Sequence, residues 1–151
     1  MVVQHIILVS VCLGLACGGV ACAPPRVGPT AGSGYVFSVQ VSDPTVWLGF
    51  VNPAVAAQFP QAAEVLVTVQ DTQGRPVNDV PVMFELEPGW AERASLAPSE
   101  TRTRGGRARA LFSEPRTTGV VRIMVRVDGT TAQVHLTVLS YQEPSNSPDV
   151  T

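Results

Sequence analysis

Cysteine and histidine are scarce in this chain, and lysine is absent. The three cysteines among its 151 residues are Cys12, Cys17 and Cys22, so everything beyond position 22 lacks cysteine. No disulfide can therefore stabilise that part of the chain. The two histidines, His5 and His135, belong to no cluster of cysteine, histidine and carboxylate residues with metal-ligand spacing. The sequence accordingly predicts neither a metal site nor a cofactor.

Catalytic motifs are also missing. The sequence contains no Gly-x-Ser-x-Gly nucleophile turn, no glycine-rich phosphate loop and no His-Glu-x-x-His pair. Carboxylate pairs are the remaining catalytic option, with Glu85 beside Glu87 and Asp71 near Asp79. We expect the first pair to lie on the solvent face of a strand and the second to bound a turn, where solvation and capping account for the side chains. We therefore predict that the protein is not an enzyme.

The charges are few and nearly balanced. Ten basic residues, all of them arginine, oppose 12 acidic ones, which gives a formal net charge of −2, and 45% of the residues are hydrophobic. These proportions are typical of a globular chain. Because the net charge is small and negative, we expect no nucleic-acid partner.

The first residues have the pattern of an export signal. An apolar run extends from Ile6 to residue 21, and this length fits a secretion signal better than a spanning helix with its flanking anchors. Residues 19–22 (Gly-Val-Ala-Cys) resemble a bacterial lipobox, in which the cysteine becomes an acylated N-terminus. We predict a signal peptide over residues 1–21 and lipidation at Cys22, with Cys17 as the alternative lipidation site. The other readings are a plain secretory signal cut near Ala23 and an uncleaved anchor.

Lipidation at Cys22 implies a membrane-anchored protein of a bacterial cell envelope, either periplasmic or exposed on the surface. A plain signal implies a secreted protein instead. The next segment, residues 22–34, contains three prolines and three glycines after position 22 and few side chains that could be buried. Its composition predicts a flexible tether between the membrane and the folded domain.

A turn between two strands stands at the centre of the remaining chain. Inward positions recur every second residue on both sides of it: Val65, Val67 and Val69 before, and Val80, Val82, Phe84 and Leu86 after. Asp71 can accept a hydrogen bond from the backbone two residues on, and Gly74 tolerates a positive φ. The pattern predicts a central hairpin.

Other segments alternate in the same way. They are residues 35–42, 94–96, 101–103, 107–113, 121–127 and 132–138, and Asp128-Gly129 is a strong hairpin signal. About seven short strands separated by turn residues predict an all-β sandwich over residues 35–140. We expect a disordered C-terminal tail over residues 141–151.

Residues 69–84 resemble a known family, the invasin and intimin type of bacterial immunoglobulin-like domain. The family pattern is Val-x-Asp-x-x-Gly-x-Pro-Val-x-x-Val-Pro-Val-x-Phe, and the chain matches it without a gap at Val69, Asp71, Gly74, Pro76, Val77, Val80, Pro81, Val82 and Phe84. The resemblance implies an immunoglobulin-like Greek-key sandwich. Domains of this family serve adhesion, spacing and sugar binding. The implied function is a non-catalytic adhesion or binding module for an envelope protein or glycan, and the alternative is a structural spacer or accessory subunit with no ligand of its own.

Residues 47–63 depart most from a regular strand pattern. Their apolar residues follow no clean period, and the aromatic ones are Trp47, Phe50 and Phe59. One interpretation is an enlarged loop, with a helical turn over residues 54–58, that packs its aromatic side chains over the end of the sandwich. The other is an exposed apolar patch that meets a partner. These three aromatic residues are therefore a candidate partner-binding loop.

Four arginines form a candidate anion-binding site. If Thr101, Thr103, Ala108 and Ala110 face inward, the side chains that face outward are those of Arg102, Arg104, Arg107 and Arg109. We expect the Gly-Gly turn at residues 105–106 to make the two strands hairpin neighbours, beside a strand that presents no carboxylate. Guanidinium groups match phosphate and carboxylate geometry. The alternative is a solvated edge that prevents strand-to-strand aggregation.

A second set of arginines has a structural prediction. On the other sheet, we expect Arg122 and Arg126 to lie across from Glu85 and Glu87, as cross-strand pairs of opposite charge.

Overall fold

In a computed structural model of this protein, the described residues form ten β-strands and one short 3-10 helix. The structure describes residues 26–31, 34–49, 53–54 and 56–141. The strands are β1 (Arg26–Ala31), β2 (Tyr35–Val41), β3 (Thr45–Leu48), β4 (Ala63–Asp71), β5 (Pro81–Leu86), β6 (Ser95–Ala97), β7 (Glu100–Arg102), β8 (Arg107–Ser113), β9 (Gly119–Val127) and β10 (Thr130–Ser140), and the helix is Ala56–Gln58. In the described part of the chain, no helix has the length and apolar character needed to cross a membrane.

The strands form two sheets of five. Sheet I has the order β1-β2-β4-β8-β6, and sheet II has the order β3-β10-β9-β5-β7. β8 pairs with β4 and β9 pairs with β5, so each strand returns to a partner across intervening elements, as in Greek-key sandwiches. All described pairings are antiparallel except that of β3 with β10. The predicted all-β sandwich is confirmed, although the described chain has ten strands and not about seven.

The core lies between the two sheets and consists mainly of valine. Side chains on the inward positions of β2, β4, β5, β8, β9 and β10 alternate with exposed ones, which is the period of a strand with one buried face. The largest fully buried side chains are Phe37, Phe112, Ile123 and Leu136. Trp90 is 7% exposed and belongs to the same core.

The prediction of a flexible tether over residues 22–34 is wrong for residues 26–31. These residues form β1, the edge strand of sheet I, which pairs antiparallel with β2. The register shifts between Val27 and Thr30, on either side of Pro29. Proline cannot donate a ladder hydrogen bond and is tolerated on an edge strand at such an irregularity. A composition rich in proline and glycine is therefore compatible with a strand here. Of the rest of the proposed tether, Gly34 is described, whereas residues 22–25 and 32–33 and the signal segment lie outside the described residues.

The central hairpin prediction is also wrong, although its turn forms as expected. Asp71 Oδ1 accepts the backbone N–H of Gln73 at 2.8 Å, and Gly74 has a φ of +80°. The chain then pairs back briefly, with the Val77 N–H donating to the Val69 carbonyl at 3.1 Å. After that it leaves sheet I, and β5 lies in sheet II. The alternation predicts a buried face but not the sheet that carries it, since both sheets bury apolar faces in one core.

The end of the domain lies one residue beyond the predicted boundary. The Tyr141 N–H donates to the Leu48 carbonyl at 2.9 Å, and the Tyr141 ring lies 4.8 Å from that of Phe59. Tyr141 is thus part of the fold and not of a tail. The remaining residues of the predicted tail, 142–151, lie outside the described residues. The hairpin turn at Asp128-Gly129 joins β9 and β10 as predicted.

Candidate functional site

All four predicted arginines line one open depression at the seam between the sheets. Its volume is about 630 Å³, and its lining residues are Thr101, Arg102, Arg104, Arg107, Ala108 and Arg109. We call this depression the arginine groove. The four guanidinium-bearing residues are exposed, whereas Ala108 is buried at the floor.

The groove exists because two strand edges are uncovered. β7 forms the outer edge of sheet II and pairs only with β5. β8 pairs with β4 along its length, but its other neighbour, β6, pairs with it only from Leu111 to Ser113. The first half of β8 and the outer edge of β7 therefore face each other across an open seam.

A tight turn joins the two walls of the groove. Arg104 and Arg107 exchange two backbone hydrogen bonds, of 2.9 and 3.1 Å, around Gly105 and Gly106. Both glycines have a positive φ, of 58° and 71°, as a two-residue turn of this hand requires. Gly106 also packs so closely on Pro76 that a Cβ there would lie 2.6 Å from the Pro76 Cβ.

The expectation that β7 and β8 are hairpin neighbours in one sheet is wrong. Their pairing is limited to the bridge between Arg104 and Arg107, and β7 belongs to sheet II. The reason is Thr103, which is 2% exposed and holds the chain to the connection before β5. Its Oγ1 accepts the Val80 N–H at 3.0 Å and donates to the Val77 carbonyl at 2.7 Å.

The expectation that no carboxylate lies beside these arginines is also wrong. Arg109 forms an ion pair with Glu64 of β4 at 3.6 Å, since Glu64 lies diagonally across the ladder from it. Arg102 forms an ion pair with Asp79 at 3.4 Å and donates to the Asp79 carbonyl at 2.9 Å. The side chains of Arg102 and Arg109 are 59% and 58% exposed, so such pairs contribute little stability and can exchange partners.

The two central arginines differ from the flanking pair. Among the ion pairs of the described residues, none involves Arg104 or Arg107. Both project from the turn that joins the walls, where their side chains are exposed. The groove therefore has two arginines with carboxylate partners at its flanks and two without such partners at its centre.

The candidate partner loop is an aromatic cluster on the second sheet. Trp47 lies in β3 and not in a loop, and its ring packs edge-on against that of Phe59 at 4.9 Å. The backbone N–H of Trp47 donates to the Pro60 carbonyl at 2.7 Å, which fixes the chain after the short helix. Trp47 and Phe59 are both half-buried, and the third residue of the loop, Phe50, lies outside the described residues. The predicted helical turn is observed as Ala56–Gln58.

Sequence reasoning missed the third ring of this cluster, Tyr141. The signal was present, because the inward phase of β10 at Val134, Leu136 and Val138 places residues 139 and 141 on the outer face. Leu139, which pairs with Trp47 in the ladder, is 41% exposed. The outer face of sheet II is thus apolar at this end.

Three of the four candidate carboxylates, Asp71, Asp79 and Glu87, form ion pairs with arginines. Asp71 accepts the backbone N–H of Arg75 at 3.0 Å and its guanidinium Nε at 2.7 Å. These bonds, with the backbone bond foremost, hold the pKa of Asp71 below its ordinary value. Glu87 pairs with Arg122 at 3.7 Å, as predicted, whereas Glu85 is exposed.

The predicted pairing of Arg126 with a glutamate is wrong. The register places Arg126 opposite Met83 and places Glu85 opposite Met124. Within the described residues, no group of histidine, cysteine and carboxylate side chains could hold a metal ion.

A second depression, which the sequence did not indicate, lies at the seam between β5 and β6. It has a volume of about 820 Å³, and its charged lining residues are Glu85, Glu92, Glu114 and Arg116. They come from four separate segments, so neither spacing nor strand phase could have brought them together before the fold was known.

The comparisons with known proteins agree on the fold. No protein-family model and no curated protein matches the chain. Among solved structures, it is similar to the D0-D1 domain of intimin, with 17% identity and a TM-score of 0.52 over 76% of this chain and 50% of that one. It is also similar to a glycosyl hydrolase family 2 member from Bacteroides cellulosilyticus, with 12% identity and a TM-score of 0.53 over 73% of this chain and 15% of the hydrolase. A β-glycosidase from Bacteroides vulgatus is similar too, with 11% identity and a TM-score of 0.53 over 72% of this chain and 15% of that one.

These matches establish a shared fold at low sequence identity. The chain spans half of the intimin fragment and about a seventh of each glycosidase. The same sandwich therefore occurs in an adhesin and in a small part of large enzymes, and the function has to be argued from the surface of this chain.

Proposed function

We propose that this protein is a non-catalytic binding module of the adhesion type in a bacterial cell envelope, where it meets a protein or glycan partner. The observation that carries the proposal is the arginine groove, which concentrates four exposed cations from two sheets in a molecule of net charge −2. Such a concentration of like charge in one concave depression favours a ligand of opposite charge.

The chemistry of the groove favours binding over catalysis. A guanidinium group stays protonated at every physiological pH, so it donates hydrogen bonds but cannot act as a general base. The carboxylates nearest to the groove, Glu64 and Asp79, are the exposed ion-pair partners of its arginines. The four guanidinium groups can hold an anion in place, but they supply neither a nucleophile nor a proton acceptor near neutral pH.

The anchor is the second part of the proposal. Acylation of Cys22 would leave only residues 23–25 between the lipid and β1. An extended chain spans at most about 3.6 Å per residue, so Arg26 would lie within about 14 Å of the acylated cysteine. Anchored in this way, the sandwich stays next to the membrane and meets partners in the adjoining envelope layer. Cys17 as the lipidation site would add five residues to this reach.

The test combines lipid labelling with recovery of a partner. Cells that express the chain are fed a palmitate analogue, and the envelope is treated with a cross-linker before the chain is purified in detergent. We expect the wild-type chain to be labelled, Cys22→Ala to lose the label and leave the membrane fraction, and Cys17→Ala to behave as wild type.

The results also separate the alternatives. Loss of label only in Cys17→Ala moves the anchor to Cys17, and no label in the wild-type chain removes the lipoprotein assignment. If the labelled chain yields no stoichiometric protein or glycan, it is a spacer and the binding function is wrong.

A further inference from the structure

Two like charges are held side by side at the centre of the arginine groove. Arg104 and Arg107 are opposite residues of an antiparallel bridge and exchange both backbone hydrogen bonds. The Cβ atoms of directly opposite residues are about 5 Å apart, and like charges in this arrangement destabilise the pair. Neither arginine has a carboxylate partner among the described residues. An anion between the two guanidinium groups would remove this repulsion.

The β8 edge adds a backbone donor to the groove. The Gly106 carbonyl accepts the Val69 N–H on the β4 side, and successive residues of an antiparallel strand direct their backbone groups to opposite sides. The backbone N–H and carbonyl of Arg109 therefore point away from β4. On that side, β6 begins its pairing only at Leu111, so no strand of the described chain covers Arg109. Its N–H is directed towards the open seam.

The flanking ion pairs can exchange for an external anion. Glu64 and Asp79 are 43% and 81% exposed and lie 3.6 and 3.4 Å from their arginines. Exposed pairs of this kind gain little energy over hydration. A ligand with several negative groups could replace both carboxylates while it also occupies the centre. The four cations along the groove thus favour a chain of anionic units over a single ion.

The strand register relates the groove to the first strand. Arg26 of β1 is level with Gln40, Leu66 and Arg109 through three successive pairings. β1 runs parallel to β4 and opposite to β8, so Arg107 and the turn before it lie farther along the direction in which β1 runs. The groove therefore begins level with the start of β1 and extends from there towards the turn.

We propose that the arginine groove binds an acidic polysaccharide of the cell envelope through the carboxylates of successive sugar units. The inference rests on the proposed binding function and names its ligand class. Arg104 and Arg107 hold one carboxylate, Arg102 and Arg109 take up the neighbouring ones, and the Arg109 N–H donates to the sugar chain. A flat anionic membrane is a poorer match, because the groove is concave.

The first experiment measures affinity for a defined acidic chain. A fluorescent oligogalacturonide is titrated with the full-length chain in non-ionic detergent at low and at moderate salt, and anisotropy reports binding. Because each charge-assisted hydrogen bond contributes roughly a factor of ten, Arg104→Gln with Arg107→Gln should weaken binding at least about ten-fold. The matched control, Arg116→Gln with Arg126→Gln, removes the same charge elsewhere. Its affinity should stay within about two-fold of the wild-type affinity.

A second double variant tests whether removal of the competing carboxylates strengthens binding. Glu64→Gln with Asp79→Asn removes the carboxylates that compete for the flanking arginines, and it should tighten binding about two- to five-fold. Asparagine suits position 79, where φ is +62°. Urea midpoints of all variants establish that the fold is retained, which is expected because the changed side chains are exposed or half-buried.

Two further probes distinguish the carboxylates of a sugar chain from the uncharged chain and from lipid headgroups. The methyl-esterified oligogalacturonide has the same chain without the charges, and it should not bind. Vesicles of phosphatidylcholine with phosphatidylglycerol should bind more weakly than the acidic oligosaccharide and without dependence on Arg104 and Arg107.

Several results would overturn the inference. Equal binding by wild type and by the central double variant would do so, as would tight binding to the vesicles alone. Binding to no probe would leave the arginines as a charged edge that prevents strand-to-strand association. In that case, recovery of another partner from the envelope would still support the proposed function, so the two proposals can fail separately.

Discussion

Thr103→Val tests the contact that separates β7 from β8. Thr103 is 2% exposed, and its hydroxyl bridges the Val80 N–H at 3.0 Å and the Val77 carbonyl at 2.7 Å. Its backbone forms two more bonds with the same connection, to the Val80 carbonyl at 3.0 Å and from the Asp79 N–H at 2.9 Å. Valine has nearly the same shape but no hydroxyl, so the substitution removes only the two side-chain bonds.

The expected cost follows from the groups left without partners. A buried donor or acceptor that loses its hydrogen bond costs about 1–3 kcal/mol. Val80 is buried and Val77 is half-buried, so the carbonyl can regain some hydration. We expect Thr103→Val to lower the free energy of unfolding by about 2–4 kcal/mol. Thr103→Ser keeps the hydroxyl and loses one buried methyl group, and it should cost only about 1 kcal/mol.

Urea unfolding followed by circular dichroism measures both variants. With a slope of about 2 kcal/mol/M, the valine variant should shift the midpoint by about 1–2 M and leave the slope unchanged. Thr101→Val is the control, since Thr101 is half-buried and forms no side-chain hydrogen bond within the described structure; it should change stability by less than about 0.5 kcal/mol. A valine variant at position 103 that is as stable as the serine variant would refute the reasoning.

Three further predictions concern glycine, charge and the core. Gly106→Ala should cost several times as much as Gly74→Ala, because both have a positive φ but only a Cβ on Gly106 would meet other atoms below 3.0 Å; equal urea midpoints would contradict this. Folding lowers the pKa of Asp71. The ionised carboxylate therefore contributes its full stabilisation above the unfolded pKa of about 3.9, and this stabilisation is lost as the pH falls through the pKa of the folded state. The stability advantage of wild type over Asp71→Asn should shrink accordingly in acid. Trp90→Ala should cost about 3–5 kcal/mol and more than Trp47→Ala, since Trp90 is buried and Trp47 is half-buried.

The features that sequence could predict are those that local physics determines. The alternation around Val65, Val67 and Val69 predicts a buried face, and all three side chains are 0% exposed. The turn chemistry at Asp71 and Gly74 depends on a carboxylate and a missing Cβ, and both act within a few residues. Each of these effects is specified by neighbours in the sequence, so no knowledge of the overall fold was needed.

The features that could not be predicted depend on contacts distant in sequence. An alternating strand is consistent with either sheet, and the choice for β5 depends on its pairing with β9. β1 is a strand because β2 presents an uncovered edge, although its own composition predicts a loop. The ion pair between Glu64 and Arg109 depends on the register of β4 with β8, which places the glutamate diagonally opposite the arginine.

The shape of the candidate site follows from the sheet switch more than from the arginines. A hairpin of β7 and β8 in one sheet would have placed the four guanidinium groups on a flat surface, where solvent surrounds each of them. Because Thr103 ties the chain to the connection before β5, Arg102 moves to the edge of sheet II while Arg107 and Arg109 remain on sheet I. The same charges then line the two walls of one depression. The hydroxyl that stabilises the fold therefore also determines the shape of the proposed site.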